Sequence, residues 1–258
     1  MLALDGADDA WGAETHPLLH WVSVYGPWAL AGLAMFFVVR AIARARLYRA
    51  VSVLGTEAQD SVRQAVRAAE ARTSGEIVPV VLERSDDHSS AAWIGALLSL
   101  LVGSALLEQY LPWTIPEQLL ACQLGLGAAG YALTRALPDL ARVFVSEARA
   151  SATAEEQALR EFHVQGLRET KDRTGVLIFV SLFERRVVVL GDSGIHARVG
   201  DAHWKQTRDA ILDGIERGSL ADGLGAGVRA CGDVLAEHFP ARAGDANEIP
   251  DRLVVRAR

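Results

Sequence analysis

The heptapeptide Val176-Leu-Ile-Phe-Val-Ser-Leu182 decides the fold of this chain. A nearly unbroken apolar run of this length is typical of a central strand that is covered on both faces. A tight turn at residues 183–185 and a second strand at 186–190 then predict an antiparallel hairpin. A parallel partner strand is available far upstream, at residues 76–82, where Pro79 favours an edge position or an irregularity.

Amphipathic helices surround these strands. Thr56 and Gln59 have the spacing of a capping box and open the first helix. A long helix at about 147–170 is expected to bury one apolar stripe, and two further helices follow the hairpin. We therefore predict an α/β fold, a small mixed sheet flanked by helices in an α/β/α sandwich. The expected buried positions of the long helix are Ala152, Leu159, Phe162 and Gly166.

Three windows of the sequence contain no charged side chain: residues 21–39, 91–107 and 118–133. The chain is 50% hydrophobic, and its mean hydropathy of +0.17 is high for a soluble protein with 22% charged residues. At about 1.5 Å per residue, the first window reaches the hydrocarbon thickness of a bilayer and the others do so with their flanks. We expect three transmembrane helices, one at 21–43 and two in a hairpin at 91–137. Buried soluble helices, and a signal peptide for the first window, are the alternatives.

The basic residues of the flanks predict the orientation. Arg40 and Arg44 follow the first window, Arg135 and Arg142 follow the third, and the connection at 108–117 has no Lys or Arg. Because basic flanks stay in the cytoplasm, we expect a multi-pass inner-membrane protein with its N-terminus outside and its soluble domain and C-terminus in the cytoplasm. The predicted segments are an outer tail (1–20), an Arg-rich linker (44–56), a domain in two parts (57–90 and 138–251) and a short tail (252–258).

Small residues recur every four positions in both hairpin windows, which predicts closely packed helices. Gly125, Gly127 and Gly130 also spell GxGxxG, but this motif binds dinucleotides only between a strand and an amphipathic helix, so we reject that function. The predicted seams are Gly95, Ser99 and Gly103 on one helix, and Ala121, Gly125 and Ala129 on the other.

The predicted topology brings polar residues to one edge of the sheet. If strands 76–82 and 176–182 are parallel, then Glu76, Arg173, Asp192 and His196 are expected to gather there. Carboxylates beside a glycine-containing turn are candidate calcium ligands, with Asp192 and Glu76 as the metal-binding pair. Two other interpretations stay open: Asp192 caps a helix or turn, and Glu76 forms an ordinary surface ion pair with Arg173.

Other polar features carry weaker functional signals. His196 and His203 are seven residues apart, which matches no standard zinc pattern. We expect the Glu184-Arg185-Arg186 turn to be a solvated hairpin tip whose arginines lie near anionic lipid headgroups. The net charge of −6 argues against a nucleic-acid partner, and two cysteines exclude a disulfide framework.

Several short motifs are spread over the soluble part of the chain: Thr73-Ser-Gly-Glu-Ile77, Arg173-Thr-Gly-Val-Leu-Ile-Phe-Val-Ser-Leu182, Glu184-Arg-Arg-Val187, Asp192-Ser-Gly-Ile195, Trp204, Cys231-Gly232, His238-Phe-Pro240 and Asn247-Glu-Ile-Pro-Asp251. Together they resemble the TPM domain family, which is named for a thylakoid lumen protein, a photosystem II repair protein and a nematode acetylcholine-receptor modulator. The resemblance covers roughly residues 57–251 and is interrupted by the hairpin. It implies an α/β/α sandwich; plant members are described as acid phosphatases, and some members bind calcium.

Two functional classes therefore stay open. One is a membrane-tethered interaction or scaffold module, whose partners are the lipid bilayer and another protein. The alternative is a metal-dependent, calcium-binding hydrolase that resembles a phosphatase. The sequence shows no CxxxxxR phosphate loop, no P-loop and no HExxH motif, so whether the protein is an enzyme is left open.

Overall fold

The computed structural model describes residues 36, 39–40, 43, 48–110, 116–199, 201–242, 248–250 and 252–257. The chain divides into two units, residues 1–43 and 44–258. In the first unit only four helical residues are described, so the outer tail and most of the predicted span at 21–43 lie outside the described residues. The second unit contains the elements that follow.

A four-stranded mixed sheet forms the centre of the second unit. Its strands are β1 (Glu76–Leu82), β2 (Gly175–Ser181), β3 (Arg186–Gly191) and β4 (Val254–Arg256), in the order β3-β2-β1-β4. β1 and β2 are parallel, and β2 and β3 are antiparallel. All seven residues of both β1 and β2 are buried, as expected for central strands covered on both faces. The mixed sheet predicted from the sequence is confirmed.

The strand β4 was not predicted, because residues 252–258 were expected to form a tail. β4 runs parallel to β1 and pairs only with Val80–Leu82. The sequence predicted an edge position or an irregularity at Pro79, but Pro79 belongs to an inner strand, one residue before the pairing of β1 with β4 begins. Among the described residues, no strand pairs with the outer side of β1 at that position, so the missing N–H of Pro79 costs no ladder hydrogen bond.

Helices cover both faces of the sheet. One face carries α2, α8 and α9, whose apolar residues form one core cluster with the strands. The other face carries α6. The predicted α/β/α sandwich is thus confirmed. The helices are α1 (Ala50–Val53), α2 (Thr56–Glu70), α3 (Ser89–Tyr110), α4 (Pro116–Ala136), α5 (Pro138–Val143), α6 (Glu147–Val164), α7 (Ser193–Val199), α8 (Asp201–Arg217) and α9 (Leu220–His238).

The helix α6 differs from its prediction in both its end and its buried face. It ends at Val164, before Gly166, which adopts φ 75° and a left-handed conformation. Phe162 is buried as predicted, but Ala152 and Leu159 are exposed, and Ala154 and Ala158 pack on the sheet in their place. The large leucine suggested the wrong face, because small alanines let the helix approach the sheet closely.

The helices α3 and α4 pack against each other as the predicted hairpin. Ser99 Oγ donates a hydrogen bond to the Leu126 carbonyl (2.9 Å), and a Cβ built on Gly130 would lie 2.4 Å from Ser99 Cβ. The seam of α3 is as predicted. The seam of α4 is shifted by one position, because Gly125 has nothing within 4 Å while Gly130 is in close contact.

The described helices include one that is long and apolar enough to cross a membrane, α3 over Ser89–Glu108, with a mean hydropathy of 1.9. The length and composition of α3 are therefore those of a membrane-spanning helix. α4 is less apolar than α3, because it contains Glu117, two glutamines and Arg135. Of the three spans predicted from the sequence, one is therefore supported within the described residues.

Candidate functional site

The four residues predicted to gather at one sheet edge come from neighbouring positions of the backbone. Glu76 opens β1 opposite Gly175, the first residue of β2. Asp192 follows β3, and its N–H donates to the Gly175 carbonyl (2.9 Å). Arg173 lies two residues before β2. His196 lies in α7, and its side chain is outside what the structure describes.

The two carboxylates of this edge are each engaged by a nearby backbone N–H. Glu76 Oε1 accepts a hydrogen bond from Glu248 N (2.9 Å), and Asp192 Oδ1 accepts one from Ser193 N (2.6 Å) at the start of α7. Leu167 packs over Gly175, where an added Cβ would lie 2.6 Å from the Leu167 carbonyl oxygen. This buried leucine occupies the space above the strand that separates the two carboxylates.

Arg173 takes no part in this arrangement. It is exposed, with φ 53°, and no carboxylate in the described part of the chain lies within ion-pair distance of it. The predicted ion pair between Glu76 and Arg173 is not formed. Within the same described residues, no group of three or more His, Cys, Asp or Glu side chains is placed to hold a metal ion.

A cleft of about 320 Å³ opens beside Glu76, at the same end of the sheet. Its walls come from the turn that follows α6 and from the segment before β4. Glu248, whose N–H binds Glu76, is shared between the edge and the cleft. The lining residues are Gln165, Gly166, Glu169, Thr170, Glu248, Ile249, Pro250 and Arg252.

The opposite end of the sheet holds a buried carboxylate that the sequence did not reveal. Glu184 is only 2% exposed, so the prediction of a solvated hairpin tip is wrong for this residue. Ser85 N–H lies 3.1 Å from both carboxylate oxygens, and Ser181 Oγ–H donates to Oε2. His88 Nε2 lies 2.7 Å from Oε1. Glu184 is therefore surrounded by hydrogen-bond donors.

His88 joins this carboxylate to the start of the hairpin. It directly precedes α3, and its carbonyl accepts a hydrogen bond from Ala91 N (2.9 Å). Its backbone has φ 44°, an uncommon conformation that turns the imidazole back toward the sheet. The ring stacks on Phe183, with 5.2 Å between the ring centroids. Because an ionised carboxylate only accepts hydrogen bonds, Nε2 of His88 carries the proton that lies between them.

The register of the sheet explains why these residues meet. The parallel pairing of β1 and β2 continues past both strands, through hydrogen bonds from Leu182 N to Leu82 O and from Phe183 N to Glu83 O. The β2–β3 turn therefore lies beside the segment that leads from β1 into α3. Glu184 is consequently held against Ser85, at the point where the hairpin leaves the sheet.

Hydrogen bonding outweighs desolvation at this end of the sheet. Burial alone would raise the pKa of Glu184, but the hydrogen bonds from His88, Ser181 and Ser85 hold it below its ordinary value. Burial likewise opposes ionisation of Asp86, and the hydrogen bond from Arg149 (2.9 Å) contributes to a lowered pKa there as well. Both carboxylates are thus ionised at neutral pH.

A second layer of contacts surrounds this network on the side of the linker. Tyr48 is buried, and its hydroxyl donates to Asp139 of α5. Arg185 donates to the same hydroxyl (3.0 Å) and lies 3.6 Å from Asp139. The arginines of the turn therefore bind protein groups, at least in part, where the sequence predicted solvent or headgroups.

We call Ser85, His88, Ser181 and Glu184 the hairpin lock. Sequence reasoning missed it because Glu184 lies in a turn, and charged turn residues are normally exposed. The available signal was the polar run Ser85-Asp-Asp-His88, placed between a buried strand and an apolar helix. The cavity beside the lock measures about 20 Å³, room for about one water molecule. Its geometry suits structural coupling between elements more than turnover of a substrate.

Comparison with known proteins finds one family match. Residues 129–234 match the family model of the TPM domain. Over these residues the chain is similar to TPM domains. β1 lies upstream of the matched segment, and most of the hairpin precedes it, so the sheet also includes a strand from before the hairpin.

One solved structure is similar, the NMR structure of BA42 protein from the psychrophilic bacterium Bizionia argentinensis. It shares 23% sequence identity, covers 79% of this chain and 95% of its own, and has a TM-score of 0.49. No curated protein matches the sequence.

Proposed function

We propose that this protein is an integral membrane protein whose α3–α4 hairpin anchors the TPM domain to the bilayer, and that the domain acts as a membrane-tethered interaction module. The observation that carries the proposal is the exposed apolar surface of α3. Trp93 is 67% exposed and Leu97 is 56% exposed, and large apolar side chains farther along the helix are exposed as well. The other exposed large apolar residues of the hairpin are Ile94, Leu98, Leu101, Val102, Leu106, Leu120, Leu124 and Leu133.

This surface argues against the alternative of a soluble core helix. A core helix of that hydropathy buries most of its residues, but only 22% of the apolar window of α3 is buried. Monomeric soluble proteins seldom expose apolar patches larger than a few hundred Å². Lipid is the environment that accepts such a surface without cost, and each of the two helices satisfies its own backbone hydrogen bonds, as a membrane requires.

The basic residues support a cytoplasmic position for the TPM domain. Arg135 ends α4, and Arg142 and Arg149 follow in α5 and α6, whereas the connection at 108–117 has neither Lys nor Arg. At the base of the hairpin, β1 leads into α3, and the chain that follows α4 returns through α5 and α6 to β2. The positive-inside rule then assigns the base, and the domain with it, to the cytoplasm.

An interaction module fits the two ends of the sheet better than an enzyme does. The four residues of the hairpin lock are buried, whereas the cleft beside Glu76 is open and lies at the end away from the hairpin. On this topology the cleft faces the cytoplasm and is free to receive a segment of a protein partner. Calcium binding by Asp192 and Glu76, and hydrolysis of a phosphomonoester, stay predictions from the sequence that no contact in the described residues favours.

Anchoring and orientation are tested by two measurements on the full chain. Alkaline carbonate extraction is expected to leave the protein in the membrane pellet, and a cytoplasmic reporter fused to the C-terminus is expected to be active. A protein released by carbonate would contradict the anchor. A pelleted protein whose C-terminal periplasmic reporter is active would contradict only the orientation.

The interaction role is tested at the cleft. Glu169 is exposed in the cleft wall, and Glu155 is exposed on α6 away from it. Covalent crosslinking in cells, followed by purification, is expected to yield a partner that Glu169→Lys loses and the control Glu155→Lys keeps. Equal loss in both variants, or capture of lipid alone, would contradict a docking function of this cleft.

A further inference from the structure

An apolar groove of about 490 Å³ runs along the surface of the hairpin. Both helices contribute to it, and small residues on each side create its depth. Trp93 and Tyr131 form an edge-to-face pair across it, with 5.1 Å between the ring centroids. The lining residues are Trp93, Ala96, Leu97, Leu100, Leu124, Gly127, Ala128 and Tyr131.

The groove points toward two arginines at the base of the hairpin. On α4, Arg135 lies four residues after Tyr131, so both are on the same helix face. On α3, Ser89 lies four residues before Trp93. Ser89 and Arg135 line the small cavity at the base together with Arg84. One helix face of the hairpin thus changes from cationic to apolar along its length.

The two arginines at this end keep their positive charges exposed to a ligand. Among the described residues, no carboxylate lies within ion-pair distance of Arg84 or Arg135. The guanidinium of Arg84 lies over the Phe183 ring, 5.4 Å from its centroid. Asp87 also lines the cavity and contributes one negative charge against the two arginines. His88 lines it too, but it is bound to Glu184.

We infer that this face of the hairpin binds an anionic phospholipid, with its phosphate at Arg84 and Arg135 and an acyl chain in the groove. The inference rests on the proposed membrane anchoring, because only an inserted hairpin presents the groove to lipid. Ser89 begins the apolar span, so the arginines lie at the depth of the headgroups and the groove at the depth of the acyl chains. The aromatic pair between them suits the interfacial zone.

Charge complementarity selects this occupant. A phosphate with no compensating headgroup cation, as in phosphatidylglycerol, neutralises the net positive charge left by the two arginines and Asp87. In phosphatidylcholine the choline cation already neutralises the phosphate, so this lipid gains less binding energy from the two arginines. Basic residues at the membrane surface attract anionic lipid, and an apolar groove that continues from them holds the chain of the same molecule.

The chain offers matched variants for a test. A Cβ on Gly127 would meet only Leu100, at 3.6 Å, an ordinary contact, so Gly127→Leu fills the groove without a backbone clash. Gly125→Leu is its control, two residues away on the same helix with open space around it. Arg135→Gln removes a base charge, and Arg142→Gln is its control, because Arg142 lies at the base on α5 and lines neither cavity.

The experiment is native mass spectrometry of the full chain released from vesicles of equal amounts of phosphatidylglycerol and phosphatidylcholine. We expect retained phosphatidylglycerol to exceed phosphatidylcholine, and Arg135→Gln to reduce that preference about fivefold. Gly127→Leu is expected to reduce total retained lipid several-fold, while both controls behave like the parent chain.

Other outcomes overturn the inference in distinguishable ways. Equal retention of both lipids, or equal effects of each variant and its control, would contradict a specific site while leaving the anchor intact. A dimer that Gly127→Leu dissociates would assign the groove to a second copy of the chain. A chain that fails to float with vesicles of phosphatidylcholine alone would contradict the membrane anchoring itself.

Discussion

The two ends of the central sheet use the same residue types in opposite ways. At the hairpin end, Glu184 is buried and accepts hydrogen bonds from Ser85, Ser181 and His88. At the far end, Glu76 accepts a hydrogen bond from the Glu248 N–H, and Asp192 accepts hydrogen bonds from the N–H and the hydroxyl of Ser193. The hairpin, which is inserted between β1 and β2 in the sequence, covers one end of the sheet, and the β2–β3 turn at that end is therefore buried at Glu184. The far end keeps an open cleft.

This difference separates structural from functional expectations. A carboxylate that is buried with several donors contributes to stability and is costly to alter. A carboxylate bound to one backbone N–H at the border of a cleft contributes less and leaves the surface available. We therefore expect substitutions at the hairpin lock to change stability, and substitutions at the far end to change binding.

The largest effect is expected for Glu184→Gln. In glutamine an NH2 group replaces one of the two carboxylate oxygens, both of which lie near the Ser85 N–H. Two hydrogen-bond donors then face each other in a buried place. The expected loss is about 2–4 kcal/mol, which lowers the thermal midpoint by about 5–10 °C. The measurement is thermal unfolding followed by circular dichroism in lipid nanodiscs. Glu156→Gln, at an exposed ion pair with Arg160, is the control and should cost less than about 0.5 kcal/mol. Equal midpoints for the two variants would contradict the hairpin lock.

The next effect concerns the packing of the hairpin. Gly130→Val places a Cβ 2.4 Å from Ser99 Cβ and 2.7 Å from the Gly95 carbonyl oxygen, so the helices must separate. Overpacking of this kind costs about 1–3 kcal/mol. The same substitution at Gly125, which has open space, serves as the control in the same unfolding measurement. If both variants unfolded alike, the seam described for α4 would be wrong.

A smaller effect is expected from acid. Because the pKa of Glu184 is lowered in the folded protein, its contribution is complete above the ordinary value of 4.5 and is lost as the pH falls through the lower folded value. The difference in midpoint between the parent chain and Glu184→Gln should therefore narrow when the pH is lowered from 7 to below the ordinary value of 4.5. A difference that stays constant over this range would show that the carboxylate charge contributes no stability.

The smallest effect is expected at Asp192. Asp192→Asn keeps an oxygen that accepts from Ser193 N–H, and it removes the carboxylate charge. The other carboxylate oxygen, Oδ2, is buried without a hydrogen-bond partner among the described residues. The free energy of unfolding should change by less than about 1 kcal/mol. Millimolar calcium should not shift the thermal midpoint. Calcium binds six to eight oxygens, and no group of three or more His, Cys, Asp or Glu side chains gathers to hold it among the described residues. A calcium-dependent rise in the parent chain that Asp192→Asn abolishes would instead confirm the metal site predicted from the sequence.

The fold was largely predictable because it depends on local patterns. The apolar run at 176–182, the turn after it and the parallel partner at 76–82 identified three strands and their directions. The fourth strand has only three residues, too few for a pattern to stand out. The wrong face of α6 followed from giving weight to Leu159, where close packing selected alanine.

The candidate site was less predictable, because it depends on long-range register. The sequence placed Glu76 and Asp192 at one edge, but nothing local shows that Leu167 packs over the strand between them. The hairpin lock joins residues about one hundred positions apart, Ser85 and Glu184, across a parallel pairing and an insertion. Only the three-dimensional arrangement turns a charged turn residue into a buried one.

The anchoring of the hairpin is tested most directly by labelling a cysteine in the middle of α3. Leu101 is exposed on the hairpin surface, so Leu101→Cys faces lipid if the hairpin is inserted and water if it is not. Cys122 is replaced by serine, and Cys231 needs no change because burial raises its pKa to about 12. In opened membrane vesicles, we predict that a water-soluble maleimide labels the control Glu155→Cys rapidly and Leu101→Cys only after detergent is added. Equally rapid labelling of both cysteines before detergent would contradict the account.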